Sequence, residues 1–152
     1  MKPGPYQTLA LTVGIHFFIM YALVFVPVNV LQDIKLINLR NFYKAVIMVA
    51  PMVFLMVFFM RDMFQNKKAN TFLYWGSAIV FVVTFFFIRQ QVLVGNEQFI
   101  KSMIPHHSSA ITMCQEANLT DLELRSLCTE IIQSQQEEID QMNQILERLN
   151  QK

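Results

Sequence analysis

The sequence predicts an all-α membrane protein, with three transmembrane helices followed by a C-terminal antiparallel helical hairpin. Hydrophobic residues make up 54% of the 152 positions and charged residues only 15%. The charge divides near Gly95: residues 1–94 carry eight basic and two acidic side chains, whereas residues 95–152 carry four basic and nine acidic ones. The net charge of +1 is therefore the sum of a basic, apolar first part and an acidic, amphipathic second part.

The three transmembrane helices are predicted at residues 6–31, 42–61 and 72–94. The first and third stretches exceed the ~20 residues that a helix needs to cross ~30 Å of hydrocarbon. The second is long enough if Lys44 extends its ammonium group to the interface. None of these apolar stretches shows the polar stripe of a soluble core helix, so the lipid bilayer is the first expected partner.

The orientation of the spans is less strongly determined. Three crossings place the N-terminus and the 61–70 loop on one side of the membrane, and the basic residues nearly balance between the two sides. Because Arg61, Lys67 and Lys68 lie in a tight loop, we expect a cytoplasmic N-terminus and an extracytoplasmic hairpin, in a bacterial inner membrane.

The sequence predicts the hairpin at residues 95–152. Apolar residues recur at helical spacing over 97–117 and again over 121–149. Asn118 is a candidate C-cap, and Thr120 with Glu123 forms a capping-box pattern before the second helix. The short link favours an antiparallel pair, in which facing residues have numbers that add to about 240.

This register brings potential metal ligands together. Met103, His106 and Met113 share one face of the first helix with His107 beside it, and Gln135, Glu138 and Met142 lie across from them. Thioether sulfur favours Cu(I), whereas imidazole suits copper, zinc and iron, so copper is the first expectation and zinc or iron are possible. The open alternative is that the histidines are surface residues and the methionines core.

Pro105 adds to the site prediction. Inside a helix, proline cannot donate a hydrogen bond to the carbonyl of Lys101 and bends the chain immediately before His106. We therefore expect an unpaired carbonyl close to the histidines.

Three segments of this half carry a family resemblance: they are residues 99–113 (FIKSMIPHHSSAITM), 122–127 (LELRSL) and 131–142 (IIQSQQEEIDQM). They resemble the domain-of-unknown-function 305 family, whose pattern is Met-x-x-His-His-x-x-Ala-x-x-Met followed by Ile-x-x-Gln-x-x-Glu-Ile-x-x-Met. The resemblance implies a ferritin-like helical fold and copper or silver binding, as in some secreted or periplasmic members. The positions that match the motif are Met103, His106, His107, Met113, Glu138 and Met142, with Gln135 a weaker candidate.

Many members of that family have two hairpins, whereas this chain has one. A single hairpin buries its apolar seam poorly, so we expect cover from a homo-oligomer partner, another subunit or the spans.

Further sulfur and histidine residues leave several interpretations open. Cys114 and Cys128 fall at the same level of the hairpin, where they form a disulfide, supply thiolates to a Cu(I) site, or pack as buried thiols. In the spans, His16 and the methionine stripe from Met48 to Met63 suggest either a copper path or ordinary helix packing.

The favoured function is a membrane-anchored metal-binding protein that buffers copper, confers tolerance or delivers copper to a membrane cuproenzyme. The alternative is an accessory or assembly subunit of a larger membrane complex, with no essential metal site. An enzyme is not expected, because a di-metal oxidase normally has Glu-x-x-His pairs and the sequence contains none. The sequence shows no pattern typical of a nucleic-acid-binding protein, so no nucleic-acid partner is expected.

Overall fold

The computed structural model describes residues 4–151, which are helical throughout apart from connecting loops. No strand occurs in that range, so the predicted all-α class is confirmed. The helices are α1 (Pro5–Leu23), α2 (Leu39–Phe59), α3 (Lys67–Gln90), α4 (Asn96–Glu116) and α5 (Leu122–Asn150), with a 3₁₀ turn at Leu31–Asp33 between α1 and α2. The chain forms two compact units, one containing α1 to α3 and the other containing α4, α5 and residues 25–39.

The three helices of the first unit are each long and apolar enough to span a membrane. Pro5 occupies the first position of α1, where its missing N–H costs no intrahelical bond. At the start of α3 the Asn66 side chain accepts hydrogen bonds from the backbone N–H groups of Lys68 and Ala69. The same helix ends where Gln91 adopts the left-handed conformation, with φ of 50°.

The first span is shorter than predicted, because α1 ends at Leu23 and not near residue 31. Its 19 residues still measure about 28 Å at 1.5 Å per residue. Pro27 explains the early end, since proline disfavours helical geometry in the residue before it and has no N–H to continue the ladder. The apolar residues after Leu23 therefore form a loop rather than two further helical turns.

Tyrosine hydroxyls fix the two ends of the membrane unit. The Tyr6 hydroxyl donates to Asn70 Oδ1 (2.9 Å) and accepts from the Asn66 backbone N–H (3.0 Å), so α1 begins beside the α2–α3 connection. The Tyr43 hydroxyl donates to the Val92 carbonyl (3.2 Å), so α2 begins beside the end of α3. Three consecutive crossings require this alternation of ends.

The hairpin of the second unit has an apolar seam of the predicted kind. Isoleucines of α4 pack against α5 in a cluster of buried residues: Ile100, Ile104, Ile111, Ile139 and Leu146. The helix boundaries lie within one residue of the prediction. The cap of α5 differs, because Asp121, not Thr120, is the N-cap and its carboxylate accepts from the Leu124 backbone N–H (2.8 Å). The C-cap of α4 is Ala117 and not Asn118.

Residues 25–39 belong to the hairpin unit, although the sequence assigned everything before residue 95 to the membrane region. They pack along α4 through three hydrogen bonds: the Asn29 backbone N–H donates to Ser108 Oγ (2.9 Å), the Asn38 side-chain amide to the Lys101 carbonyl (2.6 Å), and the Leu39 backbone N–H to Gln98 Oε1 (2.8 Å). The loop between the first two spans therefore provides part of the cover that the single hairpin needs.

Candidate metal centre

His107 lies on the buried face of α4 and is only 7% exposed. The sequence placed His106 on that face and His107 beside it, and the structure reverses the two, because His106 is exposed. The reason is geometric: each residue turns the helix by about 100°, and the face set by Ile100, Ile104 and Ile111 passes through position 107. The isoleucines, not the methionines, decide which way α4 faces.

Both nitrogens of the His107 ring have a partner in the hairpin. Nδ1 lies 3.0 Å from the Met103 carbonyl oxygen, and Nε2 lies 2.6 Å from Oε2 of Glu138. Since a carbonyl oxygen only accepts hydrogen bonds, Nδ1 carries a proton and donates it. At 2.6 Å, Nε2 and Oε2 share a hydrogen-bonded proton, and a metal ion would take the place of that proton on the Nε2 lone pair.

A bond from Nδ1 to a backbone carbonyl is one of the arrangements that orient metal-ligating histidines, because it fixes both the tautomer and the ring plane. Glu138 stands at the edge of the hairpin interior, with 53% of its side chain exposed. The pair thus joins a buried imidazole to a carboxylate that is open to solvent, and an ion would have an entry path from that side.

Pro105 deprives the Lys101 carbonyl of its usual helical donor, but the predicted unpaired carbonyl is not found, because a side chain replaces that donor. The side-chain amide of Asn38 donates to that oxygen, and Asn38 is itself only 2% exposed. Residues 25–39 therefore hold α4 one to two turns before His107. The proline predicted the loss of the helical donor, but no sequence pattern indicated that Asn38 replaces it.

Two of the predicted methionines stay near the His107–Glu138 pair. Met103 is half-buried one turn before His107, and Met142 is half-buried one turn after Glu138, where it packs against the isoleucine cluster. Gln135 is half-buried one turn before Glu138. The His106 ring contacts that of His107 edge to face, with ring centroids 5.9 Å apart.

The remaining predicted sulfur ligands lie elsewhere. Met113 is 69% exposed, and its position ten residues after Met103 places it about 15 Å further along the helix axis. Cys114 and Cys128 are joined in a disulfide, with 5.3 Å between their Cα atoms, which is the first of the three alternatives that the sequence left open. Bonded to each other, these sulfurs are not thiolate ligands, and the predicted ligands divide between the middle of the hairpin and its closed end.

Within residues 4–151 no three His, Cys, Asp or Glu side chains converge as a metal site. The strong donors of the middle group are His107 and Glu138, and any further ligands there are the thioethers and His106. Such a set fits a soft ion that accepts sulfur and low coordination numbers better than zinc, whose structural sites use four nitrogen, oxygen or thiolate ligands.

The methionine stripe of the second span forms no comparable cluster. Met48, Met60 and Met63 are exposed, while Met56 packs against the buried Leu9, Val57 and Phe64. These residues show helix packing at Met56 and an exposed apolar surface at the others.

Fold and site together define a class: a protein with three helices long and apolar enough to span a membrane and a helical hairpin domain in which a histidine–glutamate pair joins the two helices. The chain belongs to the family described as "Domain of unknown function (DUF305)", whose model matches residues 92–152. It is also similar to the uncharacterized protein L153 of Acanthamoeba polyphaga mimivirus, with 35% identity over 121 residues that cover 78% of this chain and 77% of that protein. This alignment is longer than the family match, so it includes part of the membrane region. No solved structure matches the chain.

Proposed function

We propose that this protein is a membrane-anchored copper-binding protein that holds Cu(I) in its hairpin, for buffering, tolerance or delivery to a membrane cuproenzyme. The observation that carries the proposal is the His107 ring, which is held by the Met103 carbonyl with its Nε2 facing Glu138. The family resemblance of the histidine-bearing segments supports it.

The ligands of the proposed site are His107 Nε2, the Glu138 carboxylate and the thioethers of Met103 and Met142. His106 is a further candidate because it neighbours His107 on the outer side. Copper would supply a soft, redox-active centre there, and the protein's own residues orient the imidazole and limit solvent access. The role is binding rather than catalysis.

We propose that the hairpin lies on the extracytoplasmic or luminal side, with the N-terminus in the cytoplasm. The Cys114–Cys128 disulfide supports this side, because disulfides persist in oxidising compartments. The basic residues Arg61, Lys67 and Lys68 around the α2–α3 connection would then be cytoplasmic, in keeping with the usual excess of positive charge there. That the membrane is a bacterial inner membrane stays a prediction from the sequence.

The test is Cu(I) titration of the full-length protein in lipid nanodiscs against a chromogenic chelator. We expect His107→Ala to weaken Cu(I) binding by about a hundredfold and Glu138→Gln by about tenfold, since ligands and their partners affect metal affinity by such factors. Met113→Leu is the matched control, because it removes an exposed thioether from the same helix, and it should leave the affinity unchanged.

If the unaltered protein loses all copper to the chelator, or if His107→Ala binds as well as the unaltered protein, the proposal is wrong. Zinc and iron are titrated in the same way, each against a chelator. The donor set leads us to expect that both bind more weakly than Cu(I).

A second candidate function is that of an accessory subunit in a membrane complex. It is favoured by the large exposed apolar side chains on all three spans, among them Phe18, Phe59 and Phe72. In a membrane this surface contacts lipid, a second copy of the chain or other subunits. Co-purification of a fixed set of membrane proteins in a mild detergent, unchanged by His107→Ala, would favour this role over copper binding.

A further inference from the structure

A polar cavity of about 390 Å³ lies at the closed end of the hairpin, where α4 ends and α5 begins. Both cysteines of the disulfide line it, together with Gln115, Asn118 and Arg125. Ligand sites in proteins typically measure about 300–1,000 Å³, so the cavity has room for a small molecule and not for a macromolecular segment. It is separate from the His107 site, which lies two turns back along α4.

Arg125 is the charged residue of this cavity. No salt bridge to its guanidinium occurs within the part of the chain that the structure describes. A guanidinium offers a planar fork of N–H donors that matches a carboxylate. The neighbouring Gln115, Asn118 and Thr129 supply amide and hydroxyl groups of the kind that bind peptide-like polar molecules.

The disulfide is accessible from the same cavity. Cys114 is half-buried, whereas Cys128 is buried, so Cys114 is the more accessible of the two cysteines. A disulfide is reduced when a thiolate attacks one of its sulfurs in line with the S–S bond, and access decides which sulfur is attacked. A cavity that places a polar, cationic surface against a disulfide therefore selects among small thiols by their charge.

We propose that this cavity binds a small, carboxylate-bearing thiol of the glutathione class and directs it to the Cys114–Cys128 disulfide. The thiolate attacks Cys114 Sγ, forms a mixed disulfide there and releases Cys128 as a thiolate, which takes up a proton. A second thiol attacks the sulfur of the bound thiol, and Cys114 leaves as a thiolate that is protonated in turn. Two small thiols are thus oxidised to one disulfide while the protein disulfide is reduced to two cysteine thiols.

This reaction does not depend on copper binding. It makes the closed end of the hairpin responsive to the ratio of thiol to disulfide in its compartment. Because the disulfide joins two positions with a sequence separation of 14, across the connection between α4 and α5, its reduction would free the start of α5.

The experiment measures reduction of the disulfide in full-length protein in nanodiscs, by alkylation of the released thiols and mass spectrometry. Glutathione is compared with the uncharged thiol 2-mercaptoethanol, each at the same thiolate concentration. The variants are Arg125→Gln and, as the matched control, Arg148→Gln, which removes the same charge from the last turn of α5, outside the cavity.

We expect Arg125→Gln to slow reduction by glutathione about tenfold, the usual effect of losing a charged hydrogen-bond partner, and to change the 2-mercaptoethanol rate by less than about twofold. Arg148→Gln should change neither rate. Equal slowing with both thiols would overturn the proposal, since Arg125 would then act only on the departing cysteine. An unchanged glutathione rate would overturn it as well.

Discussion

Asn38 should be one of the most sensitive polar residues of the hairpin unit, although it lies between the first two spans. Its side-chain amide donates to the Lys101 carbonyl at 2.6 Å, and no helical N–H is available to that oxygen because residue 105 is proline. Asn38→Ala leaves the carbonyl unsatisfied in a buried place. Such a loss costs about 1–3 kcal/mol, so we expect local opening of α4 to become easier by that amount.

A double-mutant cycle with Pro105→Ala separates this bond from the other interactions of Asn38. Alanine at position 105 restores the backbone N–H that donates to the Lys101 carbonyl in an ordinary helix. Asn38→Ala in that background should therefore cost about 1 kcal/mol less than in the unaltered chain, since neighbouring residues that share a partner commonly couple by about 0.5–3 kcal/mol. Any other contact of Asn38 is lost in both backgrounds and cancels.

The measurement is native-state hydrogen exchange of the full-length protein in nanodiscs, followed at the backbone amides of α4 after Lys101. The degree to which each amide is protected from exchange gives the free energy of the local opening that exposes it. A coupling energy below about 0.3 kcal/mol would refute the reasoning, because the two substitutions would then act independently. So would an Asn38→Ala variant whose α4 amides are as well protected as those of the unaltered protein.

Three further expectations concern the rest of the structure. Replacing Cys114 and Cys128 with serine should lower the stability of the hairpin by about 3 kcal/mol, because the disulfide closes a loop between positions with a sequence separation of 14. A urea unfolding transition of the hairpin that is unchanged by the two substitutions would contradict this. Ile104→Ala removes a side chain that is 0% exposed and should cost about 2–5 kcal/mol, whereas Ile104→Val should cost about 1 kcal/mol; equal losses would show that the site is not tightly packed. Tyr6→Phe removes the acceptor of the Asn66 amide (3.0 Å), so that amide should exchange faster by the factor of about 2–12 that corresponds to 0.5–1.5 kcal/mol, with the α3 interior amides as the reference.

Much of the fold could be predicted because its signals are local. The spans follow from uninterrupted apolar stretches, and the two hairpin helices follow from apolar spacing with a short polar link. The antiparallel register was also accessible: the Cys114–Cys128 bond and the His107–Glu138 contact both join residues that the predicted register places opposite one another. The predicted end of the first span was wrong, because Pro27 ends the helix although apolar residues continue after Leu23.

The candidate site could be predicted in composition but not in arrangement. The two helices that carry the candidate residues were predicted, yet the pattern could not rank His106 against His107. A rotation of about 100° about the helix axis separates the two, and three isoleucines determine which face of α4 is buried. Met113 matched the family pattern but points away from the hairpin interior. Spacing along one helix tells which residues share a face, not which face the partner helix covers.

The sequence by itself determined the helices, the apolar character of the first three and the set of side chains able to bind a metal, because each depends on residues that are near neighbours in the chain. Only the tertiary structure decided that His107 lies inside, that Asn38 replaces the donor lost at Pro105, and that residues 25–39 pack on α4. These features join positions more than sixty residues apart, as between Asn38 and Lys101, or depend on which of several apolar faces packs best. Packing and the satisfaction of buried polar groups are properties of the whole unit, so they become visible only when the chain is folded.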